Sequence, residues 1–157
     1  MIINSPPEEI TITPLIKGSG FADWKSLNDT IMGGASLATC RYIEKGLLLE
    51  GCLVEEGGGF VSCRSPVFDK PLNLSLYSGL IFEVEGNGRT LKFAITCEKN
   101  PLSLSNFLKG DIRWVASMPT KKDGVSRIKI PFNNFEPARR AKPVRLPLRF
   151  DPTCINR

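Results

Sequence analysis

No long window of this chain carries the 3.6-residue period of an amphipathic helix, whereas from Leu37 onward short β-prone runs recur between Gly, Pro and Asn. The first, residues 37–43, leads through Glu44-Lys45-Gly46 into residues 47–54 as a hairpin, with Leu47, Leu49 and Leu53 on one face. The clearest hairpin signal joins residues 79–85 to 90–97 across Gly86-Asn87-Gly88-Arg89, because Asn-Gly supplies the positive φ angles of a tight turn. Leu80, Phe82 and Val84 then alternate with Ile81, Glu83 and Glu85, and Leu91, Phe93 and Ile95 with Lys92, Ala94 and Thr96. Residues 112–118 place Ile112, Trp114, Ala116 and Met118 on one face, and a turn at Lys121-Lys122-Asp123-Gly124 returns the chain into residues 125–132. There Ile128, Ile130 and Phe132 point inward, while Pro131 marks a strand end or a sheet edge. About seven antiparallel strands with such patterning predict an all-β sandwich or jelly roll rather than an α/β fold. Residues 1–20 read as an arm or edge strand around the run at 10–13, and the polar link from Glu98 to Gly110 has room for one helical turn at 103–108.

A length of 157 residues suits one domain, which we place at residues 21–157. An apolar share of 41% with 24% charged residues belongs to an ordinary globular protein, and no apolar run approaches the roughly 20 residues of a membrane span. The first residues lack the basic and apolar regions of a secretory signal, which predicts a protein that stays in the cytoplasm. Five scattered cysteines without a Cys-x-x-Cys pair predict reduced, mostly buried thiols; Cys63, beside Arg64, is the one candidate for a reactive thiol. The chain has no histidine, so the commonest general base and the commonest metal ligand are both missing. We therefore expect no catalysis, no metal and no cofactor.

Two stretches escape both periodicities: Trp24 through Ser36, with Asn28, Asp29, Met32, Gly33 and Gly34, and Gly57 through Arg64, with Gly58, Gly59 and Phe60. One reading is a tight loop in which Asp29 accepts hydrogen bonds from the amides around Gly33 and Gly34. On that reading Asp29 and Arg64 are ion-pair partners near one end of the sandwich. The other reading is a ligand loop presenting Asn28, Asp29 and Arg64. Neither Lys-Ser/Thr nor a helix follows the glycine run, so it is a bend and not a phosphate cradle. Arg139, Arg140, Lys142, Arg145 and Arg149 carry essentially the whole formal net charge of +5. Without stacking aromatics beside them, we read them as a solvated loop or a surface for an acidic protein, and expect no nucleic acid.

Trp24 with Asn28-Asp29-Thr30-Ile31-Met32-Gly33-Gly34-Ala35-Ser36, then Gly51, Gly58-Gly59-Phe60-Val61-Ser62-Cys63-Arg64, Tyr77-Ser78-Gly79-Leu80, Gly86-Asn87-Gly88-Arg89 and Ile130-Pro131-Phe132-Asn133-Asn134-Phe135 resembles the complex I intermediate-associated protein 30 family. The match runs in order over most of the chain. The resemblance implies a galactose-binding-like jelly roll and a non-catalytic role in assembling membrane-bound electron-transfer complexes; in photosynthetic organisms related domains accompany photosystem biogenesis proteins. The family usually has a glycine where this chain has Ala141 after Arg140. It also continues into further strands beyond the segment matching 150–157, which predicts an open edge available for self-association or a shortened chain.

The expected function is thus an assembly factor or chaperone that binds immature protein subunits of a membrane complex, without membrane insertion, at the periphery of an energy-transducing membrane. The alternative is a carbohydrate- or small-ligand-binding module, with Trp24 or Trp114 as its aromatic platform.

Overall fold

Among the described residues the regular elements, apart from two short 3₁₀ turns, are all strands, and each pairing among them is antiparallel. The structure, a computed structural model, describes Glu9, residues 21–98 and residues 112–157, so the expectations for 10–13 and 103–108 lie outside the described residues. The architecture is the predicted all-β one. Its chain contacts divide it into two compact units that meet in sequence between Phe68 and Asp69.

The earlier unit holds β1 (Lys25–Asn28), β2 (Leu37–Ile43), β3 (Gly46–Cys52) and β4 (Val61–Arg64). β2 and β3 form the expected hairpin, in register from Leu37 opposite Cys52 to Ile43 opposite Gly46. An exposed ion pair between Arg41 and Glu50 at 2.7 Å crosses it, worth less than about 1 kcal/mol at such a site. β1 skips this hairpin and pairs with β4, from Lys25 opposite Arg64 to Asn28 opposite Val61. The loop before β4 turns at Gly57 and Gly58, whose φ angles of 81° and 86° suit glycine, and the Gly58 N–H donates to the Glu55 carbonyl.

The later unit holds β5 (Gly79–Val84), β6 (Thr90–Ile95), β7 (Arg113–Pro119), β8 (Ser126–Pro131), β9 (Glu136–Arg139) and β10 (Lys142–Pro143). Here the structure corrects the sequence. β5 pairs with β8, and β6 lies at the end of a second sheet ordered β10-β9-β7-β6. The turn at Asn87 and Gly88 does reverse the chain with positive φ, but it carries it from one sheet to the other; the turn at 121–124 does the same from β7 to β8. The reason is burial. Passing between sheets sets Phe82 against Phe93 at 4.5 Å across an interior that also takes Phe135, 6.4 Å from Phe93. Phe150 stacks on Phe135 at 5.5 Å and meets Trp114 edge-on at 5.6 Å. Trp114, Ala116, Met118 and Ile130 are buried, as their alternation predicts.

The end of the chain fills this unit too. Ile155 is buried and bridges Leu72 on one side and Cys97 on the other, with Leu72 N–H donating to the Ile155 carbonyl at 2.7 Å. The N–H groups of Thr96 and Glu98 donate to the carbonyls of Arg157 and Cys154. Arg139 to Lys142 is a two-residue turn in which Arg140 and Ala141 both take left-handed conformations, φ 47° and 62°. A mirror-image turn of that kind favours Asn-Gly, which gives the substituted glycine at 141 a physical meaning.

Candidate functional site

The glycine-rich motifs converge on one carboxylate. β1 ends at Asn28, and Asp29 opens a 3₁₀ turn (Asp29–Met32) closed by Gly33 at φ 84°, so its side chain turns inward rather than along the strand. Asp29 is 5% exposed and Ser36, just before β2, is fully buried. The Asp29 Oδ1 accepts the Ser36 N–H at 2.9 Å, while Oδ2 accepts the Ser36 hydroxyl at 2.7 Å and the Phe60 N–H at 3.2 Å. The Phe60 carbonyl in turn accepts the Asp29 N–H at 3.1 Å, and the Ser36 Oγ accepts the Val54 N–H at 2.9 Å. One carboxylate and one hydroxyl thus satisfy four chain segments without a cation among their partners, as a buried charge requires if it is to be tolerated.

Glycine at 34 and 59 follows from this clasp. A Cβ on Gly34 would overlap the Asp29 carboxylate, and one on Gly59 would overlap the Val54 carbonyl oxygen as well as Asp29 Oδ2 and Ser36 Oγ. The glycines make room for the carboxylate; the Gly34 N–H itself donates to the Asp29 main-chain carbonyl, not to its side chain. That corrects the expected donors. The expected Asp29–Arg64 pair is also overturned: Arg64 stands opposite Lys25, at the far end of the β1–β4 ladder from Asp29, roughly 13 Å away at strand rise. The ladder register, fixed by the Asp29–Phe60 bonds, keeps the two charges apart.

Around the clasp, Asn28 donates from Nδ2 to the Ala38 carbonyl at 3.0 Å, while its Oδ1 is buried without a partner. Trp24 is half-buried and packs edge-on against Phe21 at 5.4 Å. Beside the exposed Thr30, the loop shows large apolar side chains to solvent: Ile31 is 66% and Met32 80% exposed, with Leu37 close behind in sequence. With its oxygens engaged and its side chain buried, Asp29 fastens the loop to the neighbouring segments. The basic residues Arg139, Arg140, Lys142, Arg145 and Arg149 belong to the later unit, on and after the β9–β10 turn, where they form part of a hairpin and not only a loop.

The thiols depart from expectation in one respect. All five cysteines are free, but none is fully buried: Cys52 is exposed and the others half-buried. Burial, with the Cys40 thiol hydrogen-bonded beside it, pushes Cys63 above the usual thiol range, which argues against the reactive thiol its neighbour Arg64 suggested. Cys97 is raised in the same way beside Cys154. Among the described residues no cluster of three potential metal ligands occurs, and no helix is long and apolar enough to cross a membrane.

The family model for Complex I intermediate-associated protein 30 matches residues 15–157, nearly the whole chain. No curated protein and no solved structure matches.

Proposed function

We propose, from the premise that this chain belongs to the complex I intermediate-associated protein 30 family, that it binds immature subunits of a membrane electron-transfer complex and holds them during assembly without turnover. The observation that carries this is the match over residues 15–157, which takes in both compact units. The absence of histidine and the full engagement of Asp29 support a binding role over a catalytic one. In this reading the clasp sets the loop tip, and Ile31 and Met32 offer apolar surface to the partner. The basic residues from Arg139 to Arg149 supply attraction to acidic subunits or to the periphery of an energy-transducing membrane.

The test is affinity capture from native membranes with the intact protein, comparing wild type with an Ile31→Glu, Met32→Glu double variant. Recovery of subunits of one electron-transfer complex, reduced at least tenfold by the double variant, is the expected result. Recovery of the protein alone, together with selective binding on a glycan array, would replace this reading with that of a carbohydrate-binding module.

A further inference from the structure

The later unit contains a cleft of about 540 Å³ lined by Ser117 and Pro119 of β7, Lys129 and Ile130 of β8, and Asn133 and Glu136 beyond them. The ladders on either side identify what its walls offer. On β8, the Phe132 N–H donates to Ser78 in register with the β5 pairing, so the alternation of antiparallel bonds turns Ile130 and Ile128 toward β5. The N–H and C=O of Lys129 then point away from β5, as does the carbonyl of Pro131. On β7, Pro137 of β9 stands opposite Trp114 and has no N–H, and its carbonyl accepts from Val144 instead. The β7–β9 bonds therefore run through Arg113 and Val115, while the Thr120 N–H bonded to Arg89 keeps Met118 and Ala116 on the β6 side. β9 pairs with β7 only as far as Val115. The main-chain groups of Ser117 thus face the cleft side, where the register continued from Glu136 brings Asn134, the end of the 3₁₀ turn Phe132–Asn134 and itself part of the cleft lining, opposite Ser117 with no main-chain bond between the two.

Each wall has the same layout, one residue with both main-chain groups turned outward followed two positions on by a proline: Ser117 then Pro119, Lys129 then Pro131. The prolines limit the usable edge to a few residues. Lysine and proline are also the residues that stop a strand edge from pairing with its own kind, since a second copy laid antiparallel on β8 about Lys129 would bring lysine against lysine. A partner strand with a carboxylate at that position would meet attraction instead.

We infer that this cleft is a docking slot for a short extended segment of a protein partner, bound as an added strand at Ser117 and Lys129 and carrying an acidic residue opposite Lys129. This rests on the reading of the protein as one that binds protein subunits, and it names one place and one kind of segment. Recognition through main-chain bonds gives affinity for extended chain, and the charge at Lys129 selects among segments.

The intact purified protein is tested by residue-resolved amide exchange with the probe acetyl-Thr-Val-Glu-Val-Thr-amide at millimolar concentration. In the free protein the amides of Ser117 and Lys129 should exchange at least tenfold faster than those of Ala116, Met118, Ile128 and Ile130. The probe should slow both by fivefold or more, the same peptide N-methylated at both valines should not, and a lysine in place of its glutamate should bind at least fivefold more weakly. A Lys129→Glu variant, at an exposed side chain, should reverse that last preference. Slow exchange of both amides in the free protein at every concentration, or no protection by the probe, overturns the slot; protection that grows with protein concentration alone makes a second copy the occupant and overturns it too. Membrane capture that succeeds while the probe fails would leave the assembly role standing and remove only this slot.

Discussion

The two units hold themselves together by opposite means. Among the described residues of the later one the buried side chains are apolar, among them Leu74, Ile95, Trp114, Met118, Ile130, Phe135 and Ile155, with Ser126 the buried polar exception, although Leu76, Val125 and Leu146 are exposed there. Among the described residues of the earlier one Ala38 is the buried apolar side chain, beside Asp29, Ser36 and Ser65, while Ile31, Met32, Leu37, Tyr42 and Val67 are exposed. A β unit whose described residues bury so little apolar side chain draws specificity from directional bonds. Polar groups so enclosed have no substitute partner, so such a unit tolerates fewer changes at the fastener and more elsewhere.

Each unit carries its own tryptophan, Trp24 in the earlier and Trp114 in the later, so Trp24→Phe and Trp114→Phe backgrounds each leave one local reporter. The largest effect should come from Phe135→Ala, which empties the aromatic cluster and costs about 4 kcal/mol in the Trp114 transition under denaturant. A shift below about 1 kcal/mol would mean that the cluster does not carry the later unit. Next, Asp29→Ala should cost about 3 kcal/mol in the Trp24 transition by stranding the donors of Ser36 and Phe60. Asp29→Asn should recover little of that, because its amide nitrogen faces donors, whereas Leu37→Ala on the exposed surface should stay within about 0.5 kcal/mol. If Leu37→Ala matched Asp29→Ala, the contrast between the units would fail.

A smaller effect should run the other way. Ala141→Gly removes a left-handed alanine at φ 62° and should stabilise the later unit by about 1 kcal/mol, read as a raised midpoint of its transition. The smallest concerns acid. The Thr153 hydroxyl and N–H donate to Asp151 at 2.6 and 2.9 Å and hold its carboxyl below the usual carboxylate range. A depressed folded-state value means this stabilisation is complete above the ordinary pH of about 3.8 and is lost as pH falls through the lowered value. At so exposed a site the loss is well under about 1 kcal/mol. Comparing Asp151→Asn with wild type between pH 6 and pH 2 should show the midpoints converging at the acid end.

Strand positions were legible because period-two alternation and turn residues are local signals; strand partners were not. A hairpin across Gly86 to Arg89 would set Phe82 directly beside Phe93, and the actual crossing between sheets also makes them neighbours, so their alternation fits both arrangements. The choice is made by residues far along the chain, Ile130 opposite Leu80 and Met118 opposite Leu91. At the clasp, the sequence singled out Asp29, Ser36, Gly34, Gly59 and Phe60 but paired Asp29 with the wrong group. Opposite charges drew attention to Arg64, whereas a carboxylate this enclosed is satisfied by a hydroxyl and two amides that leave no charge pattern to read. The glycines were the better signal, since they mark where the carboxylate needs space.

The clasp also bears on the order in which the earlier unit forms and comes apart. Its Ser36 bonds span 7 residues and its Phe60 bond spans 31, and between them lie the β2–β3 hairpin and the Gly57-Gly58 turn. The longer loop contains both of those, so we expect the Phe60 contact to complete after the rate-limiting barrier is crossed. Its loss then falls on the unfolding rate: Asp29→Ala should refold almost as fast as wild type and open on the order of a hundredfold faster. The carboxylate acts as a latch on a door that closes by itself, and what it sets is how long the door stays shut.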